Sequence, residues 1–201
     1  MKKAKIGVLV SGGGTNLQAL IDACESGIIN SGEIKVVISN KADAYALERA
    51  KKANIATEVV LKKDCKDSFE FEEKIVEALT KHEIDIIVLA GFMSILSEKF
   101  TSRYPERILN VHPSLIPSFC GKGFYGLTVH EKALEYGVKV TGATVHFVNE
   151  IPDGGKIIMQ KAVEIQDGDT PEILQKKVME QAEWIILPQS VEKVAKDIIS
   201  E

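Results

Sequence analysis

Asn110 and His112 stand two residues apart in the stretch LNVHPSLIPSF (109–119), where a run of strand character gives way to prolines. Side chains two apart on a strand project to the same face. Pro113 biases His112 toward an extended backbone, so the amide and the imidazole still point together where the strand ends. Strand ends of open α/β sheets are where such folds place their ligands. A third group, Asp153, lies in the glycine-backed turn of HFVNEIPDGG (146–155). Read alone it is a turn residue, because Asp-Gly is common turn chemistry. Asn110, His112 and Asp153 together make a chemical set: two donors for a developing oxyanion and a carboxylate that keeps the imidazole protonated.

A second candidate is SGGGTN (11–16), between a strand-like run and a helical one. Glycines let backbone amides approach a ligand, and the following helix offers unpaired N–H groups and a positive dipole end. Thr15 or Asn16 is expected to cap that helix or to donate to a phosphate. The competing reading is a tight turn with an ordinary cap. No GK[ST] follows, so this is not a Walker A loop. Gly121, Gly123 and Gly126 of GKGFYG satisfy GxGxxG, but that fingerprint must follow a strand and open a helix. Here it follows the irregular PSLIPSFC and reads instead as a mobile loop over a site. His82 at a helix end and His130 in a helix's first turn read as surface residues. His146 shares a strand face with Val140, Thr144 and Val148 and fits either a core or a cleft. No group of His, Cys, Asp and Glu has metal-ligand spacing.

Placing these groups requires a scaffold, and the pattern supplies one. KIGVLV (5–10), IKVVISN (34–40), IATEVVL (55–61), DIIVLAG (85–91) and RILNVH (107–112) read as strands. Helices are expected over 16–27, 42–53, 68–82, about 94–104, and from Thr128 to Gly137. KVTGATVHFVN (139–149) and KIIMQKAVEI (156–165) alternate and suggest a hairpin. The last helix starts at DTPE (169–172), with Pro171 in its first turn, and Pro188 should kink or divide it. The expected fold is α/β: a mostly parallel twisted sheet with helices on both faces and a late antiparallel hairpin, in one domain over 1–201.

Composition agrees with a single globular domain: 201 residues, 45% hydrophobic and 27% charged. A formal charge of -4 gives no general attraction to nucleic acid or anionic membranes, while leaving room for a local phosphate pocket. Cys24, Cys65 and Cys120 are odd in number and far apart, which favours a reducing cytoplasm. The apolar run IGVLV after the first lysines is too short for a signal peptide, and no run approaches a bilayer span. Neither nucleic acid nor membrane is therefore an expected partner; small-molecule substrates are expected from the family resemblance described next. Monomer and homodimer both stay open.

With these residues in place, the chain resembles the folate-dependent phosphoribosylglycinamide formyltransferase family along nearly its whole length. The resemblance rests on VLVSGGGTNLQALIDA (8–23), SNKADAYALERAKKANIAT (39–57), VLAGFMSIL (88–96), ILNVHPSLIPSF (108–119), GATVHFVNEIPDGGKIIMQ (142–160) and GDTPEIL (168–174). It implies a Rossmann-like formyltransferase fold and 10-formyltetrahydrofolate as co-substrate, with no metal. It further implies Asn110, His112 and Asp153 as the catalytic three. Gly14, Thr15 and Asn16 would hold the phosphate of the ribonucleotide acceptor, and Glu183 in the last helix would also contact it. Met93, Ser94, Ile95 and Leu96 would line the folate pocket with Asn110. Asn149, Glu150, Ile151, Pro152 and Asp153 would wrap the folate head. Two departures stand out: Ser68 and Ser94 fall where many members carry an arginine. The same Asn-x-His and Asp-Gly-Gly pieces occur in formyltetrahydrofolate hydrolases, which add an N-terminal regulatory domain, and in initiator transfer-RNA formylases, which add a C-terminal one. The chain starts directly at its first strand and ends at Glu201, so neither is expected. The remaining alternative is a non-catalytic phosphate- or nucleotide-binding module.

Overall fold

Alternation along the first strand, β1 (Ala4–Val10), feeds two separate cores. Ile6, Val8 and Val10 enter one and Leu9 the other, as a two-residue period demands. The computed structural model, which describes residues 2–200, continues with α1 (Thr15–Glu25), β2 (Gly32–Ser39), α2 (Tyr45–Lys52), β3 (Ala56–Val59), α3 (Ser68–Lys81), β4 (Ile86–Leu89) and α4 (Glu98–Thr101). Then follow β5 (Ile108–His112), α5 (Leu127–Tyr136), the hairpin β6 (Val140–Phe147) and β7 (Ile157–Glu164), α6 (Pro171–Val178) and α7 (Trp184–Ile199). The seven strands lie in the order β3-β2-β1-β4-β5-β6-β7. The first five run parallel, and β6 and β7 are antiparallel to their neighbours. The chain winds outward from β1 in one direction and from β4 in the other, so β1 and β4 flank the switch point where such sheets open a crevice.

Helices α1, α2, α6 and α7 pack Leu17, Leu20, Ala46, Leu174 and Val191 against one face. Phe71, Ile75 and Leu79 of α3 and Phe100 of α4 cover the other. All four residues of β4 are buried, as expected for a strand sheathed on both sides. Each of the fully buried Leu and Ile side chains contributes roughly 1.5–3 kcal/mol by leaving water. No helix among the described residues is long and apolar enough to cross a membrane.

The sheet and hairpin match the pattern-based expectation, and two helices depart from it. The helix expected over about 94–104 shrinks to α4, because Gly91 turns at φ 72 and the chain stays irregular until Ser97 caps Phe100. Pro188 lies inside α7 without dividing it. The irregularity comes a turn earlier, where Met179–Glu183 widens into a π-helical segment and the Trp184 N–H reaches back to the Met179 carbonyl. The absorbed turn re-aims Glu183, whose side chain is buried.

Candidate active site

On β5, Ile108 belongs to the core under α3 and α4, so alternation carries Asn110 and His112 along that same face. Past the end of that core the face is covered by loops. Antiparallel pairing sets His146 of β6 opposite Asn110 and Thr144 opposite His112. The β6–β7 register shifts between Val145 and His146, the kind of irregularity that re-aims a side chain. Asn110 Nδ2 lies 3.2 Å from His146 Nε2. Asp153, in the left-handed region at φ 56, brings one oxygen to 3.5 Å from His112 Nδ1 and the other to 3.6 Å from His146 Nε2. The Asp-Gly-Gly turn needs its second glycine, since a Cβ on Gly155 would fall 1.7 Å from the Phe147 carbonyl oxygen.

The network fixes the ring tautomers. His146 Nδ1 donates to the Phe147 carbonyl at 2.7 Å, so Nε2 accepts from the Asn110 amide when the ring is neutral and faces Asp153 as a donor when the ring is protonated. His112 Nε2 donates to the Phe119 carbonyl at 2.9 Å. Burial pulls the His112 pKa below the ordinary imidazole value and His146 adds to that, while Asp153 and the Phe119 carbonyl pull upward and lose. The expectation that Asp153 keeps this imidazole protonated is therefore outweighed by desolvation. Burial works against ionised Asp153 too, yet His146, His112 and the Gly121 N–H together hold its pKa below the usual range.

His130 corrects its surface assignment. It is 1% exposed on the inward face of α5, between Val129 and Ala133, because that face turns toward the core. Neither ring nitrogen has a hydrogen-bond partner among the described residues. Burial, reinforced by the charge of His112, pushes its pKa down to about 4. His82 follows α3 with Nε2 3.4 Å from Glu58, close to its expected place.

Between β1 and α1, Gly14 stands at φ 73, and a Cβ there would meet the Ala46 Cβ at 2.6 Å. Only glycine fits. No side chain caps α1, so Thr15 and Asn16 do not cap it as expected. Both turn to the π segment instead: Thr15 Oγ1 lies 3.9 Å from Met179 Sδ, and Asn16 Nδ2 donates to Glu183 Oε2 at 2.8 Å. Burial raises the Glu183 pKa against that hydrogen bond. The first turn thus keeps its N–H groups unspent, and Arg49 steadies the loop by donating from Nε to the Gly13 carbonyl at 2.8 Å.

The remaining expected residues divide by exposure. Met93, Ile95 and Ile151 are exposed apolar side chains, whereas Leu96 is buried in the core beneath α3. Ser94 accepts from Asn40, and Ser11 Oγ accepts from the Met93 N–H at 2.9 Å, joining the loops after β1 and β4. Asn149 Oδ1 accepts from the Ile151 N–H, closing the turn that carries Glu150, Pro152 and Asp153. Ser68 is exposed at the start of α3. Asn149 and Glu150 line a cleft of about 330 Å³. A cavity of about 460 Å³ between α1 and α7 includes Thr15 and Arg49 but none of the catalytic candidates. The space beside His112 and Asp153 is taken by the 113–126 loop, whose Gly121 N–H donates to Asp153 Oδ2 at 2.8 Å. Sequence reasoning left the part played by His146 open and missed those of Phe119, Gly121 and Arg49. The alternation of β6 was the one available signal, for His146.

A doubly wound sheet with an amide, an imidazole and a carboxylate converging at its strand ends defines an α/β enzyme built for acyl-type group transfer. The chain belongs to the formyl transferase family, whose model matches residues 4–191. It is 48% identical over 184 residues to the phosphoribosylglycinamide formyltransferase of Haemophilus influenzae, covering 92% of this chain and 84% of that one. It is 47% identical over 194 residues to the human trifunctional purine biosynthetic protein adenosine-3, covering 96% of this chain and 18% of that much longer protein. The crystal structure of glycinamide ribonucleotide transformylase 1 from Symbiobacterium toebii superposes with a TM-score of 0.90 at 41% identity, covering 97% and 89% of the two chains.

Proposed function

We infer that this chain, as a single formyltransferase domain, transfers the formyl group of 10-formyltetrahydrofolate to the amine of 5'-phosphoribosylglycinamide, a step of purine biosynthesis. Family membership and the names of its relatives support the reaction. The observation that carries the site is the meeting of Asp153 with His112 and His146 at 3.5 and 3.6 Å, beside Asn110. In this reading the acceptor nitrogen attacks the formyl carbon and the oxygen becomes negative. Asn110 Nδ2–H donates to that oxygen, and so does Nδ1 of His112 in its cationic form, which burial disfavours and Asp153 favours. Each well-placed donor contributes about 3–4 kcal/mol to such a transition state. The C–N10 bond then breaks. The proton lost by the amine reaches N10 through Asp153, directly or by water, so no covalent enzyme intermediate forms.

The uncapped first turn of α1, with Gly14, Thr15 and Asn16, suits the acceptor phosphate, and Glu183 suits its polar groups. Met93, Ser94, Ile95 and Leu96 are assigned to the folate pocket along with the 149–153 turn. The three cysteines, all free, fit the cytoplasmic setting that we propose. The partners are small molecules; monomer and homodimer remain equally compatible. The test is tetrahydrofolate release from 10-formyltetrahydrofolate with and without the ribonucleotide. Release only with it supports the transferase. Release without it assigns a hydrolase, and no release under either condition overturns both.

A further inference from the structure

Two backbone groups of one loop, two residues apart, meet both ionisable members of the site. The Phe119 carbonyl accepts from His112 Nε2 at 2.9 Å, and the Gly121 N–H donates to Asp153 Oδ2 at 2.8 Å. A carbonyl only accepts, so it locks neutral His112 as the Nε2–H tautomer. Nδ1, 3.5 Å from Asp153 Oδ2, is left as the atom that gains and loses the proton. Phe119 delivers this carbonyl from a left-handed backbone, φ 48, which a phenylalanine rarely adopts. Such a conformation persists only where surrounding contacts hold it. Hydrogen bonds from Ser114 Oγ to the Ser118 carbonyl and from the Phe124 N–H to the Gly121 carbonyl brace the loop on either side, and the contacts of the Phe119 ring itself include two aromatic ones. The Phe119 ring is tilted against Phe124 at 6.4 Å between centroids and stands edge-on to Tyr136 at 6.0 Å and 74°. Both distances fall in the favourable range for ring pairs. Tyr136 ends α5 and is 81% exposed, so its place is not explained by the core.

We propose that Phe119, Phe124 and Tyr136 form a positioning clasp that holds the 113–126 loop against the site. The clasp sets the tautomer of His112 and so decides which ring nitrogen presents a proton to the transferring group. The inference rests on the role read above for His112, although the tautomer it enforces exists without substrate.

The test is ¹⁵N NMR of the His112 ring above its titration, in the wild-type protein and in Tyr136→Ala/Phe124→Ala. The wild type should show a protonated Nε2 and a bare Nδ1. The double variant should populate the Nδ1–H tautomer as well, paired with Asp153. Its kcat should fall about tenfold with the KM for the ribonucleotide unchanged, as displacement of a positioned group predicts. Phe119→Gly, which keeps the left-handed backbone without the ring, should behave like the double variant, and Tyr136→Phe like the wild type. A double variant with the wild-type tautomer overturns the clasp. If formyl transfer is present and the tautomer does not move, the clasp alone fails. If the tautomer moves but the wild type transfers no formyl group, the clasp stands and the functional reading fails.

Discussion

The two candidate sites, one between β1 and α1 and one at the end of β5, are built from different materials. The one proposed for the acceptor, SGGGTN, offers mainly backbone: a glycine with no room for a Cβ, a first helical turn without a side-chain cap, and one guanidinium steadying a carbonyl. At the one proposed for formyl transfer, the groups are side chains from two adjacent strands and a turn, each oriented by a hydrogen bond from somewhere else. Their buried ionisable groups also pull in opposite directions. Burial favours neutral imidazoles at the formyl site and a neutral Glu183 at the acceptor site. Acidification therefore loads its cost on one site and alkalisation on the other. A backbone site fails by steric change, whereas a side-chain site fails by loss of a single atom or charge.

The largest effect should come from Asp153→Asn. It removes the carboxylate beside His112 while keeping the volume, and turnover should fall by about 10³. Ribonucleotide binding, measured by calorimetry, should stay unchanged; its loss would break the division between the two sites.

Next in size is the response to acid. The folded pKa of His130 lies below the unfolded value, so its neutral form stabilises the protein above the unfolded pKa. That contribution is lost as pH falls from about 6.5 toward 4, a change of up to about 3 kcal/mol. Thermal unfolding across this window should show it, and His130→Leu should flatten the profile. An unchanged slope would remove His130 from the account.

Gly14→Ala comes third. The added Cβ meets Ala46 at 2.6 Å in a left-handed backbone and should cost about 1–3 kcal/mol, read as a lower Tm. The smallest effect is expected from Asn16→Ala, which removes a donor to a carboxylate. The KM for the ribonucleotide should rise roughly tenfold with kcat nearly constant. If kcat fell instead, Asn16 would belong with the formyl site.

The parts legible in the sequence are those governed by local periodicity. β4 declared itself by four apolar residues between a charge and a glycine, and the Asn110/His112 pair by spacing two before a proline. Less could be seen where the deciding contact is distant along the chain. Nothing in VHF distinguishes a core histidine from one facing Asn110 across a strand pair 36 residues away. His130 looked exposed because a first-turn position says nothing about which helical face the sheet will cover. Pro188 pointed to the wrong turn, since the π segment before it absorbs the irregularity. The Phe119 carbonyl was invisible because backbone groups of an irregular loop carry no sequence signal.

The most direct test of the central claim is single-turnover formyl transfer by His112→Ala, with ribonucleotide affinity measured on the same preparation. If His112 Nδ1 serves the oxyanion, transfer should fall by about 10²–10³ while the ribonucleotide binds as in the wild type. Transfer near the wild-type rate by this variant would contradict the assignment of the formyl site.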